Sequence, residues 1–402
     1  MTNPATVAII IPTYNRAQLV TQTLESVLGQ TRPPDEILVV DDGSTDTTAE
    51  VLAEYKHRIK YLHKSNGGLP STLNYGLAAT DADYIGVIDD DDLMMPDTIE
   101  RHLEFLRAHP DIDFSYSGCY RFWSDTPPKP PYGPSLELYD CADIAPDDLF
   151  LRALETYPFH TQSMLVPLRC YRAIGGFDET RLRAEDYDMI LRLARAFRGA
   201  KVGAPTFLLR EHSGDRGPAN ERHSIRERDK VFLQYGRKLF ADLRDRLTLA
   251  DYLRDVDEAA PLDDSQTRRA LLQRACVMGR HGLFDEALED IRSATAQPLL
   301  DHPLTVDEQR MCSRMMDMDP MLLKDGANFL RNAINVLDER APPLSYACAK
   351  GFGWSISREL RKRHYRTAAK MAGALARALG SRGLISLMGK ARRHNSTPHV
   401  PR

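Results

Sequence analysis

Val7-Ala8-Ile9-Ile10-Ile11 is a continuous apolar, mostly β-branched run that stops at Pro12. A run with no polar alternate predicts a strand buried on both faces of a parallel sheet. Residues 17–29 then place Leu19, Val20, Leu24, Val27 and Leu28 at helical spacing. Glu36-Ile37-Leu38-Val39-Val40 reads as a second buried strand, followed by the turn Asp41-Asp42-Gly43-Ser44. The pattern continues with a helix over Thr47–Tyr55, a short strand over Ile59–His63, a helix over Leu69–Ala79 and a strand over Tyr84–Ile88. Strands alternating with helices at this spacing predict an α/β fold with a mostly parallel sheet between helices. Ligands of such sheets bind at the carboxyl ends of the strands. Three polar clusters fall there: Pro12–Arg16, Asp41–Asp46 and Asp89–Asp92.

The later chain is less regular. Residues 125–148, rich in Pro and Asp, read as a surface loop, and Gly175-Gly176-Phe177-Asp178 as a turn. A helix is predicted from about Asp186, with Met189, Ile190, Leu193, Ala194 and Phe197 on one face. Residues 210–224 read as a mobile polar loop. After about residue 226 strand-like runs vanish and helical spacing takes over. Gly282, Phe284, Ala287, Ile291, Ala294 and Pro298, with Leu271 and Ala275 before them, fall near the spacing of one tetratricopeptide unit. Stable arrays need about three such units, so an ordinary helical hairpin stands beside that reading. The expected division is 1–225 (α/β), 226–349 (all-α) and 350–402 (a basic amphipathic helical tail).

Composition narrows the class. A chain of 402 residues, 42% hydrophobic and 27% charged, can build a sizeable core. Its net charge of −4 argues against nucleic acid as the main partner. The charge is uneven: Lys350–Arg402 carries thirteen Lys/Arg against one acid, Glu359, so this tail is +12 and the rest −16. A basic amphipathic segment reads as a peripheral contact with an anionic membrane, or as a face that packs on the acidic body. The six cysteines spell no C-x-x-C pair. Without a secretory signal pattern or an apolar run approaching about 20 residues, a cytoplasmic location is expected, peripheral at the inner face of the membrane if the tail binds it.

Candidate chemistry centres on Asp89-Asp90-Asp91-Asp92. Like charges so close raise each other's pKa values, and a bound divalent cation resolves the conflict. Mg²⁺ and Mn²⁺ prefer oxygen ligands and bridge carboxylates to substrate phosphates. A solvated acidic turn, or Asp92 as a helix cap, is the plainer alternative. Tyr14 offers a stacking face, and Gly67-Gly68 permits close backbone approach.

Taken in order, several short pieces resemble a family 2 glycosyltransferase of the GT-A fold over residues 1–215. They are Ile11-Pro12-Thr13-Tyr14-Asn15-Arg16, Val40-Asp41-Asp42-Gly43-Ser44-Thr45-Asp46, Asn66-Gly67-Gly68 with Asn74 and Gly76, and Asp89–Asp92. Gly175-Gly176-Phe177-Asp178-Glu179 and Glu185-Asp186-Tyr187-Asp188 complete the set. The resemblance implies a nucleotide-sugar donor, usually a UDP-sugar, a glycan or lipid-linked acceptor, Mn²⁺ or Mg²⁺, and inversion at the anomeric carbon. By position it implies Pro12, Thr13 and Tyr14 at the base pocket, Asp41 on the uracil ring, and Arg16 with Asn66, Gly67 and Gly68 beside the nucleotide. It further implies Asp89 on the ribose with Asp90 beside it, Asp91 on the metal and Asp186 as catalytic base. His212 falls where many such enzymes place a metal-binding histidine, although a lone loop histidine is commonly just solvated. His160 is open on the same grounds. Arg210 and Arg216 are placed to clamp the diphosphate.

Plainer roles stand beside these. Asp46 reads equally as a helix cap, Glu185 as an acceptor contact, and Asp188 with Arg192 as an i,i+4 surface pair. A helix N-terminus would lower the pKa of Asp186, and the acidic cluster would raise it. Two other functions share the fold. One is a catalytically silent sugar-nucleotide-binding scaffold that recruits a partner through its helical part, which the set Asp89, Asp91 and Asp186 disfavours. The other is a nucleotidyltransferase, which wants a Gly-rich basic loop where this chain has Pro12-Thr13-Tyr14-Asn15-Arg16.

Overall fold

The structure, a computed structural model, describes residues 5–128, 136–181, 183–211, 228–254, 256–257 and 260–394, with the side chains of 228–229 and 381–394 outside that description. The chain forms two compact units, Met1–Phe232 and Leu233–Arg402.

The first unit opens with β1 (Val7–Thr13), α1 (Ala17–Leu28), β2 (Glu36–Asp41), α2 (Thr48–Ala53), β3 (Lys60–His63), α3 (Leu69–Ala78) and β4 (Tyr84–Val87). It continues with β5 (Leu93–Met94), α4 (Thr98–Ala108), β6 (Phe114–Tyr116), β7 (Cys119–Phe122), β8 (Glu137–Tyr139), α5 (Leu149–Glu155) and β9 (Leu165–Pro167). It closes with α6 (Leu168–Ile174), α7 (Glu185–Ala196), β10 (Gly199–Lys201) and β11 (Phe207–Arg210). Seven strands form one sheet in the order β10-β6-β9-β4-β1-β2-β3, and β5-β11-β7-β8 form a smaller second sheet. In the large sheet β1 pairs in parallel with β2 and β4, while β9 runs antiparallel to β4 and β6. This is the α/β architecture expected from the pattern, of the GT-A type that the resemblance implied.

All seven residues of β1 are buried, which is why its sequence does not alternate. Val7, Ile9 and Ile11 face Val20, Leu24 and Val27 of α1, with Leu52, Ile99 and Leu106 in the same core. On the other face a Cβ at Gly76 of α3 would sit 2.8 Å from Ile10, so glycine there lets helix and strand close up. Each fully buried Ile or Leu contributes on the order of 1.5–3 kcal/mol.

Three local expectations are corrected. Glu137–Tyr139, inside the stretch read as a loop, pairs antiparallel with β7. It is three residues long with no apolar alternation, so nothing local announced it. Arg210 ends a strand rather than lying in a mobile loop. Asp188 is not on the surface: it is 2% exposed, paired with Arg192 at 2.7 Å and Arg181 at 3.4 Å. Arg192 also donates to the carbonyls of Ile174 and Gly176, so the pair ties the Gly175-Gly176 turn to α7.

His102 of α4 is buried between the Ser115 and Thr206 hydroxyls, at 2.7 and 3.2 Å. Burial pushes its pKa down to about 3 from an ordinary 6.5. The folded state thus keeps it neutral while the unfolded chain takes up a proton. His102 by itself is therefore expected to lower the stability of this unit by roughly 1.4 kcal/mol for each pH unit below 6.5. Denaturant titrations of the wild type and His102→Gln at several pH values check this: the difference between the two slopes should have that size and sign, and equal slopes would remove His102 as a contributor.

The second unit holds most of α8 (Arg228–Arg246), then α9 (Asp264–Arg280), α10 (Phe284–Ala294), α11 (Val306–Met315), α12 (Leu323–Arg340), α13 (Pro342–Arg361) and α14 (Tyr365–His394). Helices α9 and α10 pack as a hairpin across Gly282, whose φ of 76° a side chain would strain. Ala275, Ala287, Ile291 and Ala294 are buried in it. The expected boundary at 349/350 is corrected, because α13 runs unbroken through it. Nor is the tail a free amphipathic helix: α14 packs on α12 and α13, burying Ala368, Met371, Ala374, Leu375 and Ala378. Its regular course breaks at Gly380, where φ is 62° and ψ −176°.

Candidate active site

The carboxyl ends of β1, β2 and β4 carry the three polar clusters. At β1, Thr13 Oγ1 donates to Asp90 at 2.8 Å. Arg16 Nη1 meets Asp90 at 2.7 Å and Asp91 at 2.9 Å. Asn15, with φ of 53°, accepts from the Thr45 and Asp46 amides and joins the first cluster to the second.

At β2, Asp41 is fully buried; its carboxylate accepts from the Ser44 amide and the Tyr61 hydroxyl, at 2.8 and 2.6 Å. It therefore holds the 41–44 turn from behind. Asp42 accepts from Lys64 Nζ and from the Gly67 and Gly68 amides, all within 2.9 Å. This fixes the Asn66–Gly68 turn, in which Asn66 and Gly67 are exposed. Gly68 has φ of 84° and open space where a Cβ would be. Pro12 is buried, whereas Tyr14 is half-buried, with part of its ring available to a ligand.

At β4, Asp89, Asp91 and Asp92 each bring an oxygen within 4.8 Å of the others. Burial, then Asp91 and Asp90, raise the pKa of Asp89. Burial also raises that of Asp90, with Arg16 opposing it. An all-oxygen donor set with excess negative charge fits a hard divalent cation. Asp92 is no helix cap: it is 1% exposed and accepts from the Arg210 amide at 2.8 Å. Arg210 does not face a diphosphate. It is buried, donating to the carbonyls of Asp91 and Ser124 and to Gln22.

The third wall comes from α7. Asp186 Oδ2 accepts from Tyr157 at 2.6 Å, and Oδ1 from the Tyr187 amide at 2.7 Å. The pKa of Asp186 is raised, by burial, a cause the sequence did not offer, against the hydrogen bond from Tyr157. A raised carboxyl is the stronger base. Glu185 is raised too, to about 8, by burial and then by Asp186, with Asp89 adding to the rise, so α7 and the acidic cluster share one site. Gln162 Nε2 donates to Asp89 and anchors a third segment there.

Tyr157 and Gln162 were not read from sequence, because they lie in a stretch with no motif and reach the site only through the fold. His160 packs among Tyr139, Tyr157 and Phe207, and burial lowers its pKa to about 4. Asn74 is structural, exchanging hydrogen bonds with the Phe177 backbone. Asp46 accepts from the Thr48 amide at the start of α2, as a local cap would. His212 and Arg216 lie outside the described residues.

The first unit is a mostly parallel α/β sheet of the GT-A type, with Asp89, Asp91 and Asp92 gathered at the end of β4 and the buried carboxylate of Asp186 on α7. Residues 8–161 match the family model Glycosyl transferase family 2. An uncharacterized glycosyltransferase of Rickettsia felis is 32% identical over 194 residues, which are 47% of this chain and 31% of that one. Chondroitin synthase of Pasteurella multocida strain Pm70 and hyaluronan synthase of Pasteurella multocida are each 30% identical over 192 residues. Those matches cover 47% of this chain and 19% and 18% of the relatives, so the chain spans a minor part of their length. Among solved structures, S. aureus TarS in complex with UDP-GlcNAc aligns with TM-score 0.49 and 17% identity, over 89% of this chain and 92% of that one.

Proposed function

We propose that this protein is an inverting glycosyltransferase that moves a sugar from a nucleotide-sugar donor, a UDP-sugar, to a hydroxyl of a glycan or lipid-linked acceptor. The observation that carries this reading is the convergence of Arg16, Asp89–Asp92 and Gln162 with Asp186 and its Tyr157 partner at one end of the sheet. Two sequence relatives named for chondroitin and hyaluronan synthesis support a glycan acceptor.

In this reading Tyr14 stacks on the base, and Thr13, Arg16 and the Asn66–Gly68 turn flank the nucleotide. Asp41, held by Tyr61, sets the shape of the base pocket. Asp89, Asp91 and Asp92 would hold Mn²⁺ or Mg²⁺, which supplies positive charge against that developing on the departing diphosphate. Asp186 takes the proton of the acceptor hydroxyl as its oxygen forms the new bond to the anomeric carbon. The bond from that carbon to the diphosphate breaks on the opposite face, and the electron pair leaves with the nucleotide. The six cysteines are buried free thiols, in keeping with a reducing compartment.

Calorimetric titration with UDP tests the donor and metal assignments together. Mn²⁺ should tighten UDP binding at least tenfold in the wild-type protein. Asp91→Ala should lose that gain, since a methyl group cannot replace a carboxylate ligand. Unchanged Mn²⁺-dependent affinity in Asp91→Ala would remove Asp91 from the metal site. A thermal-shift panel of nucleotide sugars then identifies the donor, because a ligand stabilises by RT ln(1 + [L]/Kd).

A further inference from the structure

The helical unit ends α13 in an unusual stretch of surface. Arg361, Lys362, Arg363, His364, Tyr365 and Arg366 are six consecutive exposed residues. The turn they form is pinned by its backbone: Lys362, Arg363 and His364 amides donate to the carbonyls of Arg358, Leu360 and Glu359. Arg363 takes a left-handed φ of 61°. His364 Nδ1 meets the buried Glu359 carboxylate at 2.9 Å, which anchors the turn from inside. Arg358, one turn earlier, points the other way and is spent on Asp317 and the Met318 carbonyl. None of Arg361, Lys362, Arg363 and Arg366 has an ion pair among the described residues. Four cations are therefore held together on a fixed turn without internal compensation.

The same surface carries apolar groups. Lys350, Trp354, Ser357 and Arg361 are exposed at spacings of four, three and four, which makes them one stripe of α13 leading into the turn. Trp354 is 46% exposed, with Lys350 Nζ 5.7 Å from its ring centre. Leu360 and Tyr365 flank the cations at 48% and 63% exposure. The apolar side of α14 is already consumed by packing on α12 and α13. Whatever binds here must thus accept a basic turn with three large apolar side chains around it. Soluble polyanions match the charge and leave Trp354, Leu360 and Tyr365 in water. A bilayer interface matches both, since anionic headgroups attract Lys and Arg while Trp and Tyr settle at headgroup depth.

We propose that the turn between α13 and α14, with the Trp354 stripe beside it, is a docking site for an anionic lipid surface. No helix among the described residues is long and apolar enough to cross a membrane, so the contact is peripheral.

The test uses the full chain. The protein has two tryptophans, so Trp123→Phe leaves Trp354 as its one tryptophan, which is excited selectively at wavelengths that spare tyrosine. With vesicles of phosphatidylcholine plus phosphatidylglycerol at low salt, Trp354 emission should shift to the blue and be quenched by brominated acyl chains. Vesicles of phosphatidylcholine alone should give neither effect. Replacing Arg361, Lys362, Arg363 and Arg366 together by Gln should lower the vesicle partition coefficient on the order of a few hundredfold, since each cation near such a surface is worth roughly fivefold. All four side chains are exposed, so the variant should fold; an unchanged circular dichroism spectrum checks this. Unquenched Trp354, or full binding by the fourfold variant, overturns the proposal. Equal affinity for soluble dextran sulfate, without bromolipid quenching, reassigns the turn to polyanions and overturns the lipid reading. The measurement needs neither donor nor metal, so its outcome is independent of the transferase reading.

Discussion

Asp186→Asn should lower turnover by about 10²–10⁴-fold while leaving UDP affinity within a few-fold of wild type. Asn is nearly isosteric; its Oδ1 can still accept from the Tyr187 amide while its Nδ2 donates to the Tyr157 hydroxyl, so the local fold should persist. What it lacks is a site for the acceptor's proton. Tyr157→Phe supplies the complementary measurement. The Tyr157 hydrogen bond opposes the rise in Asp186 pKa, so its removal should move the acid limb of the pH–rate profile to higher pH. Asp186 and Asp89 in turn both raise the pKa of the neighbouring Glu185, which burial raises first. A variant with full turnover at position 186 would take Asp186 out of the mechanism. An unshifted acid limb in Tyr157→Phe would show that this limb does not report Asp186.

The largest stability effect is expected at Arg268 of α9, which is fully buried. Its guanidinium meets Glu308 at 2.6 Å and donates to the carbonyls of Leu299, His302 and Pro303. Glu308 in turn accepts from the Thr305 amide and hydroxyl, closing the cap of α11. Arg268→Ala leaves a buried carboxylate and three carbonyls without their donor. Breaking a buried pair in this way costs about 3–5 kcal/mol. For a unit of this size that is a fall in Tm on the order of 10 °C. Because two units need not unfold together, hydrogen exchange in peptides of α9 and α11 is the proper readout. Arg268→Met with Glu308→Leu should cost clearly less than the two single changes summed, as the second removes the stranded charge. Additive costs would show that the two side chains act separately.

The strands β1, β2 and β4 and helices α1 and α3 were legible because each carries a pattern its own residues complete: unbroken β-branched runs, or apolar positions at helical spacing. The order of Pro12–Arg16, Asp41–Asp46, Asp89–Asp92 and Glu185-Asp186 was likewise written in the chain, as was the excess of positive charge after Lys350. These are local properties, fixed by residue type and spacing. Which side chains became partners was not local. Arg210, read as a clamp, is buried against Asp91 and Ser124 because β11 pairs in parallel with β7. Asp188 and Arg192, read as a surface pair, became the anchor of a turn. Tyr157 and Gln162 belong to no pattern, yet the fold delivers one to Asp186 and the other to Asp89. The tail's apolar face, equally suited to lipid or protein, was claimed by α12 and α13. Spacing tells a residue which face it occupies; only the packing of distant segments decides what that face meets, because burial and partner charge are properties of the assembled core.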